Sequence, residues 1–261
     1  NFRMFRATVC LIVLHVFNNE VLSMESVTLH GVTDTLKPEQ SKYAKALETA
    51  AEAFKEAESL FTDKAWVEKK GWKKDAETEG GDIVYSKHTP LGKMVTVSTV
   101  LEGQVDNVMT ETWTAVDGLP EWNPNINFAR TVATLTDHVD LVTYGNNDVL
   151  IVTGRDFVSV RLYRKVGDGY IMASRSVDLA EMPEKKDKVR AHLHLAAARF
   201  RPDPSAPSSK TLCDVAMLVD LKGMLPKILV NQVIPKIMVM DTEENVKHFK
   251  ELAEKQSKNG N

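Results

Sequence analysis

Between Glu39 and Thr62 apolar residues recur at helical spacing (Tyr43, Ala46, Leu47, Ala50, Ala51, Ala53, Phe54, Ala57, Phe61), with acids and lysines between them. Such a stripe buries one side of a helix and leaves the other in water, so an amphipathic helix is predicted over 39–62. After Trp66 the period shortens toward two. Runs rich in β-branched residues read as strands at Asp82–Ser86, Met94–Leu101, Phe128–Thr136, Val139–Tyr144, Asp156–Tyr163, Tyr170–Ser176, Val189–Phe200 and Thr211–Asp220. Turn formers separate them at Gly80-Gly81, Gly145-Asn146-Asn147, Gly167-Asp168-Gly169 and the proline-rich stretch 201–210. A short helix is predicted from Val105 to Val116, ahead of a corner at Leu119-Pro120-Glu121-Trp122-Asn123-Pro124-Asn125. From Met224 to Lys255 the helical period returns, with Leu225, Ile228, Leu229, Val233, Ile237, Met238, Val246 and Phe249 on one stripe. Pro235 falls inside it, where the missing N–H favours a kink. Helix, a sheet of about nine strands, then helix is an α+β order, without the strand–helix alternation of a nucleotide-binding sheet.

The N-terminus sets the expected domain organisation. Phe5 to Phe17 is the most apolar run, yet it holds Arg6 and His15 and falls short of the roughly 20 residues of a spanning helix. Its length and the leading Arg3 and Arg6 fit the core of a secretory signal, but no clean small-x-small cleavage site follows. Asn1 in first place, with Met4 and Met24 as alternative starts, fits a fragment or splice form of a longer chain. The expectation is an appendage over 1–38 outside the fold and one domain over 39–258.

Composition narrows the function classes. With 261 residues, 43% of them hydrophobic, the chain can bury a large core or enclose a cavity. Its 33 bases and 36 acids are mixed along the sequence, so the basic footprint that neutralises phosphates is missing and nucleic acid is not an expected partner. Cys10 and Cys213 are too few for a disulfide framework and are expected to be free thiols. There is no G-x-S-x-G, P-loop, G-x-G-x-x-G or H-E-x-x-H, so neither an enzyme nor a metal site is expected. His192 and His194 share one face of a strand, a metal-capable spacing, but no third ligand is near in sequence. In Arg155-Asp156-Phe157-Val158-Ser159-Val160-Arg161, alternation puts Arg155, Phe157, Ser159 and Arg161 on one face and Asp156, Val158 and Val160 on the other. Turned inward, Arg161 would need a carboxylate, an amide or a ligand oxygen, because an unpaired buried charge is very costly.

That segment belongs to a larger pattern, with Glu121-Trp-Asn-Pro-Asn125, Glu181-Met-Pro-Glu184, Asp220-Leu-Lys-Gly-Met-Leu-Pro-Lys227 and Asn231-Gln-Val233, preceded by Gly71-Trp-Lys-Lys74, Gly81-Asp82 and Ser86-Lys87. In this order, over about residues 40 to 255, the motifs resemble the START lipid-transfer family and, within it, the steroidogenic acute regulatory subgroup; the chain looks most like a carotenoid-carrying member. The resemblance implies a helix-grip fold, a curved antiparallel sheet around an apolar tunnel closed by the long C-terminal helix. It also implies a non-enzymatic, cofactor-free, monomeric cytoplasmic carrier of one hydrophobic ligand, a carotenoid such as lutein, passed between membranes by transient surface contact. The alternative is a cholesterol or other sterol carrier, or a membrane-tethered sterol sensor in a longer form.

The family's buried arginine corresponds to Arg161, whose carboxylate comes from the preceding strand. The stretch Thr143 to Gly154 is shorter than the family pattern, so Gly145 or Asn146 falls at the expected acid, with Asp140 and Asp148 as displaced candidates. The ligand contacts so implied are Arg161, Asp140, Asn146, Asp148, Trp122, Phe157 and Ser159, with Leu225, Ile228, Leu229, Val233 and Met238 on the last helix. That helix and the loop Gly145–Thr153 would open for release, with Pro235 as a hinge.

Overall fold

Four-residue strands rarely announce themselves, and the described structure begins with two of them. The computed structural model describes residues 25–186 and 188–259, so Cys10 and the apolar run Phe5–Phe17 lie outside it. Ser26–Leu29 (β1) and Val32–Thr35 (β2) pair as an antiparallel hairpin. A 3₁₀ turn over Pro38–Tyr43 leads into α1 (Ala44–Thr62), where the predicted apolar stripe from Ala46 to Phe61 is buried. The turn α2 (Lys64–Val67) precedes β3 (Lys73–Glu77), β4 (Ile83–Thr89) and β5 (Gly92–Glu102). Next come α3 (Val105–Thr114) and the short α4 (Leu119–Trp122). The strands β6 (Ile126–Thr136), β7 (Val139–Asn146), β8 (Arg155–Val166), β9 (Gly169–Ser176), β10 (Val189–Arg190), β11 (His192–Pro202) and β12 (Lys210–Asp220) lead to the closing helix α5 (Lys227–Asn259).

Among the described residues ten strands form one sheet in the order β3-β4-β5-β12-β11-β9-β8-β7-β6, each neighbour antiparallel, with β10 pairing parallel to β8. Alternation gives this sheet two apolar faces. On the outer face Leu141, Val160, Leu162, Ala173, Leu195 and Leu218 pack under α1. On the inner face Val95, Val97, Leu193 and Val219 meet the first half of α5, while Leu101, Phe200 and Cys213 meet α3 and Phe249. A bulge between Leu193 and Leu195 resets the alternation of β11.

Three expectations are corrected. Residues 26–36 belong to the fold, because Val27 and Leu36 are buried against α1 and Asp34 of the hairpin meets Arg164 of β8. Arg164, 1% exposed, also donates to the carbonyls of Leu29 and Tyr163. The strand β3 was missed because Lys-Lys-Asp-Ala-Glu carries no apolar alternation, as suits an exposed sheet edge. The run Val189–Phe200 is divided, since Val189 and Arg190 pair with β8 before the chain crosses to β11.

Pro235 does not break α5, which runs from Lys227 to Asn259. A proline frees the carbonyl four residues earlier, here that of Asn231, and Lys93 of β5 donates its Nζ to that oxygen at 2.9 Å while pairing with Asp75. The expected hinge is therefore tied to the sheet. Lys93→Met should cost roughly 2 kcal/mol by stranding the Asn231 carbonyl and the Asp75 carboxylate. It should also speed exchange of a bound ligand. Chemical denaturation and ligand-release rates check both, and an unchanged release rate would show that this tie does not restrain α5.

Candidate binding cavity

The inner face of the sheet and α5 enclose a chamber of about 330 Å³. Its walls are mostly apolar: Val142, Leu193, Ala196, Ala198, Phe200, Val215 and Met217 from the sheet, Val116 and Leu119 from the α3–β6 connection, and Met238 from α5.

Into this wall the fold sets one ion pair. Asp140 of β7 lies directly opposite Arg161 of β8 in the ladder, so both side chains leave the same face. Arg161 Nε donates to Asp140 Oδ1 at 2.9 Å and Nη2 to Oδ2 at 2.5 Å. Nη2 also donates to the Trp113 carbonyl at 2.9 Å, and the guanidinium lies 4.3 Å from the centre of the Trp113 ring. Arg161 is 7% exposed and Asp140 5%. A two-pronged pair with an extra carbonyl and an aromatic face compensates such burial well.

Of the candidate acids, then, Asp140 is the partner. Gly145 leaves no room for a side chain, since a Cβ there would meet Phe128 at 2.3 Å. Asn146 and Asp148 hold the following loop instead: Asn146 Oδ1 accepts the Arg155 N–H at 3.1 Å and Asp148 Oδ1 that of Gly154 at 2.7 Å. Gly154 is required there, because a Cβ would come within 2.1 Å of the Asn146 carbonyl oxygen.

The remaining candidates divide. Ser159 shares Arg161's face of β8, and its buried hydroxyl has no partner among the described residues. Phe157 stacks on the chamber residue Tyr144, with ring centres 4.7 Å apart. Trp122 stacks on His248 of α5 at 4.0 Å, and His248 bonds Glu111 of α3 at 2.9 Å, so Trp122 anchors the lid. Leu225, Leu229 and Val233 pack with Val149 and Val152 of the loop after β7. Met238 faces the chamber, whereas Ile228 is 70% exposed and points away.

Sequence reasoning missed the polar part of the lid. Asp241, Thr242 and Asn245 line the chamber after Met238. Their spacing of three, four and seven residues from Met238 was the available signal, hidden because the stripe was followed through apolar residues alone. Burial pushes the Asp241 carboxyl up to about 6, against hydrogen bonds from Asn123 and Asn125, with Glu244 adding repulsion. Cys213 is a wall residue whose thiol burial pushes up, out of the reactive range. The His192 and His194 rings share a face, 4.7 Å apart, and among the described residues no three potential ligands gather for a metal.

Two neighbouring loops, one after β7 and one before α5, are tied together by a single side chain. Arg155 donates from Nε to the Leu221 carbonyl at 2.9 Å, from Nη2 to the Lys222 carbonyl at 3.3 Å and from Nη1 to Thr153 Oγ1 at 3.0 Å. It thus joins the loop 147–154 to the β12–α5 connection. The tips are apolar and exposed at Leu150, Ile151, Met224 and Ile228. Among the described residues no helix is long and apolar enough to cross a membrane.

An antiparallel sheet closing with a long C-terminal helix over an apolar chamber, with one ion pair in its wall, defines a helix-grip fold of the lipid-binding kind. The chain belongs to the START domain family, which matches residues 52–255. It is 54% identical over 254 residues to steroidogenic acute regulatory-like protein 1 of Caenorhabditis elegans, covering 96% of this chain and 97% of that one. Steroidogenic acute regulatory protein of Xenopus laevis is 34% identical over 212 residues, 78% of this chain and 70% of that one. Among solved structures, human StAR-related lipid transfer protein 5 superposes with a TM-score of 0.69 at 21% identity, over 80% of this chain and 99% of that one.

Proposed function

We propose that the chain is a non-enzymatic carrier that encloses one sterol and passes it between membranes. The observation that carries this is the Arg161–Asp140 pair set in the wall of an otherwise apolar chamber. Apolar burial at about 25 cal/mol per Å² holds a lipid body. A hydroxyl taken from water needs a hydrogen-bond partner, and Arg161, the member of the pair that lines the chamber, offers it a donor.

Chamber size counts more heavily against the carotenoid expected from sequence than against a sterol. About 330 Å³ is near the lower end of ligand pockets. A compact fused-ring body with a polar tip needs only a small outward shift of α5 to fit, whereas a xanthophyll is an extended rod with a polar ring at each end and would protrude far from the chamber. Mixing the protein with cholesterol and lutein in competition tests this. Retained cholesterol without a shifted pigment band is expected; a shifted lutein band that resists cholesterol would overturn the sterol assignment.

Entry and exit are assigned to the loops bearing Leu150, Ile151 and Met224, whose exposed apolar tips suit a bilayer surface, with Lys222 and Lys227 beside them for anionic headgroups. Leu150→Asp with Ile151→Asp should slow sterol transfer between vesicles about tenfold, since each apolar tip is worth on the order of 1 kcal/mol or more in the interface. Equilibrium binding of the sterol should stay within about twofold. Equal loss of binding and transfer would place these residues in the fold's integrity and not at the membrane.

A further inference from the structure

The lid helix breaks the pattern of the chamber it closes. Met238 continues the apolar wall, but the next chamber-facing positions of α5 are Asp241, Thr242 and Asn245. An amphipathic helix over an apolar space places apolar residues there, and an ionisable group is the costliest alternative. Asp241 receives the Asn125 side-chain amide at 3.3 Å, a long bond. The other groups that bear on it are the Asn123 amide and the repelling Glu244, and no cation is among them. Two amide donors do not saturate a carboxylate, which offers about four acceptor sites, and burial pushes its pKa up to about 6 in spite of them. Asp241 is a wall residue of the chamber. Arg161 and Tyr144 of the sheet line the same chamber as Asp241 of α5, so it holds two polar centres, one on the sheet and one on the lid.

We propose that Asp241 is a second polar anchor, accepting a hydrogen bond from a hydroxyl at the lid-facing end of the bound lipid. The preferred cargo is then a sterol carrying a second hydroxyl remote from the one held at Arg161. This deepens the carrier assignment above and rests on it. A lipid with one hydroxyl leaves the Asp241 carboxylate desolvated and unanswered when α5 closes. A lipid with two answers both polar centres, and the apolar walls hold the body between them. Thr242 does not compete for this role, since its hydroxyl already bonds the Met238 carbonyl at 2.7 Å.

The test is a competition binding assay on the purified chain with cholesterol and 25-hydroxycholesterol, and in parallel with β-carotene and lutein. The native chain should bind 25-hydroxycholesterol roughly tenfold or more tightly than cholesterol, the effect of one hydrogen bond to a charged acceptor. Asp241→Leu should abolish that preference, costing roughly tenfold more affinity for the diol than for cholesterol. Asp241→Asn, which still offers an oxygen, should keep part of it. No preference in the native chain, or an equal loss for both sterols in Asp241→Leu, would overturn the proposal and leave Asp241 as a clasp between lid and corner. Lutein preferred to β-carotene, with that preference lost in Asp241→Leu and no sterol bound, would keep the second anchor and overturn the sterol assignment. Binding of neither pair would overturn both.

Discussion

Arg161→Met should weaken the binding of cholesterol by roughly ten- to a hundredfold while its hydrocarbon analogue, lacking the hydroxyl, loses little. The expectation follows from what methionine keeps and removes. It preserves most of the apolar stem but no donor, and hydrogen bonds to charged groups contribute about 1.5–3 kcal/mol each, where 1.4 kcal/mol is tenfold. The same change strands Asp140, which is 5% exposed, and breaking a buried pair from one side costs about 3–5 kcal/mol of stability. A double variant separates the two effects. Asp140→Leu with Arg161→Met replaces the pair by apolar residues, which is often neutral or stabilising. It should recover the melting temperature without recovering the preference for the hydroxylated ligand. Equal loss of both ligands in the double variant would mean that the pair shapes the chamber and does not read the hydroxyl.

The second large effect is expected far from the chamber. Asp34→Ala removes the carboxylate that answers Arg164, a guanidinium 1% exposed between the hairpin and β8. Asp34 also accepts the Thr136 hydroxyl at 2.5 Å and faces the His138 ring nitrogen at 3.2 Å, so three partners are stranded together. A loss of about 3–5 kcal/mol is expected, which for a domain of this size lowers the melting temperature by on the order of 10 °C. Asp34→Asn, which keeps an acceptor, should lose less. A change of under about 1 kcal/mol for Asp34→Ala would show that the hairpin is a dispensable attachment, as the sequence alone suggested.

These two sites mark what sequence could and could not reveal. The stripe from Ala46 to Phe61 predicted α1 and its buried face because period alone decides which side of a helix is buried. Alternation likewise put Arg155, Phe157, Ser159 and Arg161 on one face of β8. The choice of Asp140 over Asp148 was not legible, because it depends on the register that sets Asp140 opposite Arg161, and register is a property of two strands. The hairpin was hidden by its shortness, and Arg164 gave no sign of needing Asp34, 130 residues away. Trp122 looked like a ligand contact in its motif but is spent on His248. Asp241 gave no sign in the sequence of facing the chamber, because that depends on how α5 is rotated over the sheet.

The most direct test of one lipid held by its polar tip is nuclear magnetic resonance on the native chain loaded with cholesterol labelled with carbon-13 at the hydroxyl-bearing carbon. Saturation at one sterol per chain, with contacts from that carbon to Arg161, Asp140 and the Trp113 ring, is the result expected. Non-saturating uptake, or contacts confined to the exposed tips at Leu150, Ile151 and Met224, would contradict an enclosed cargo anchored at the ion pair.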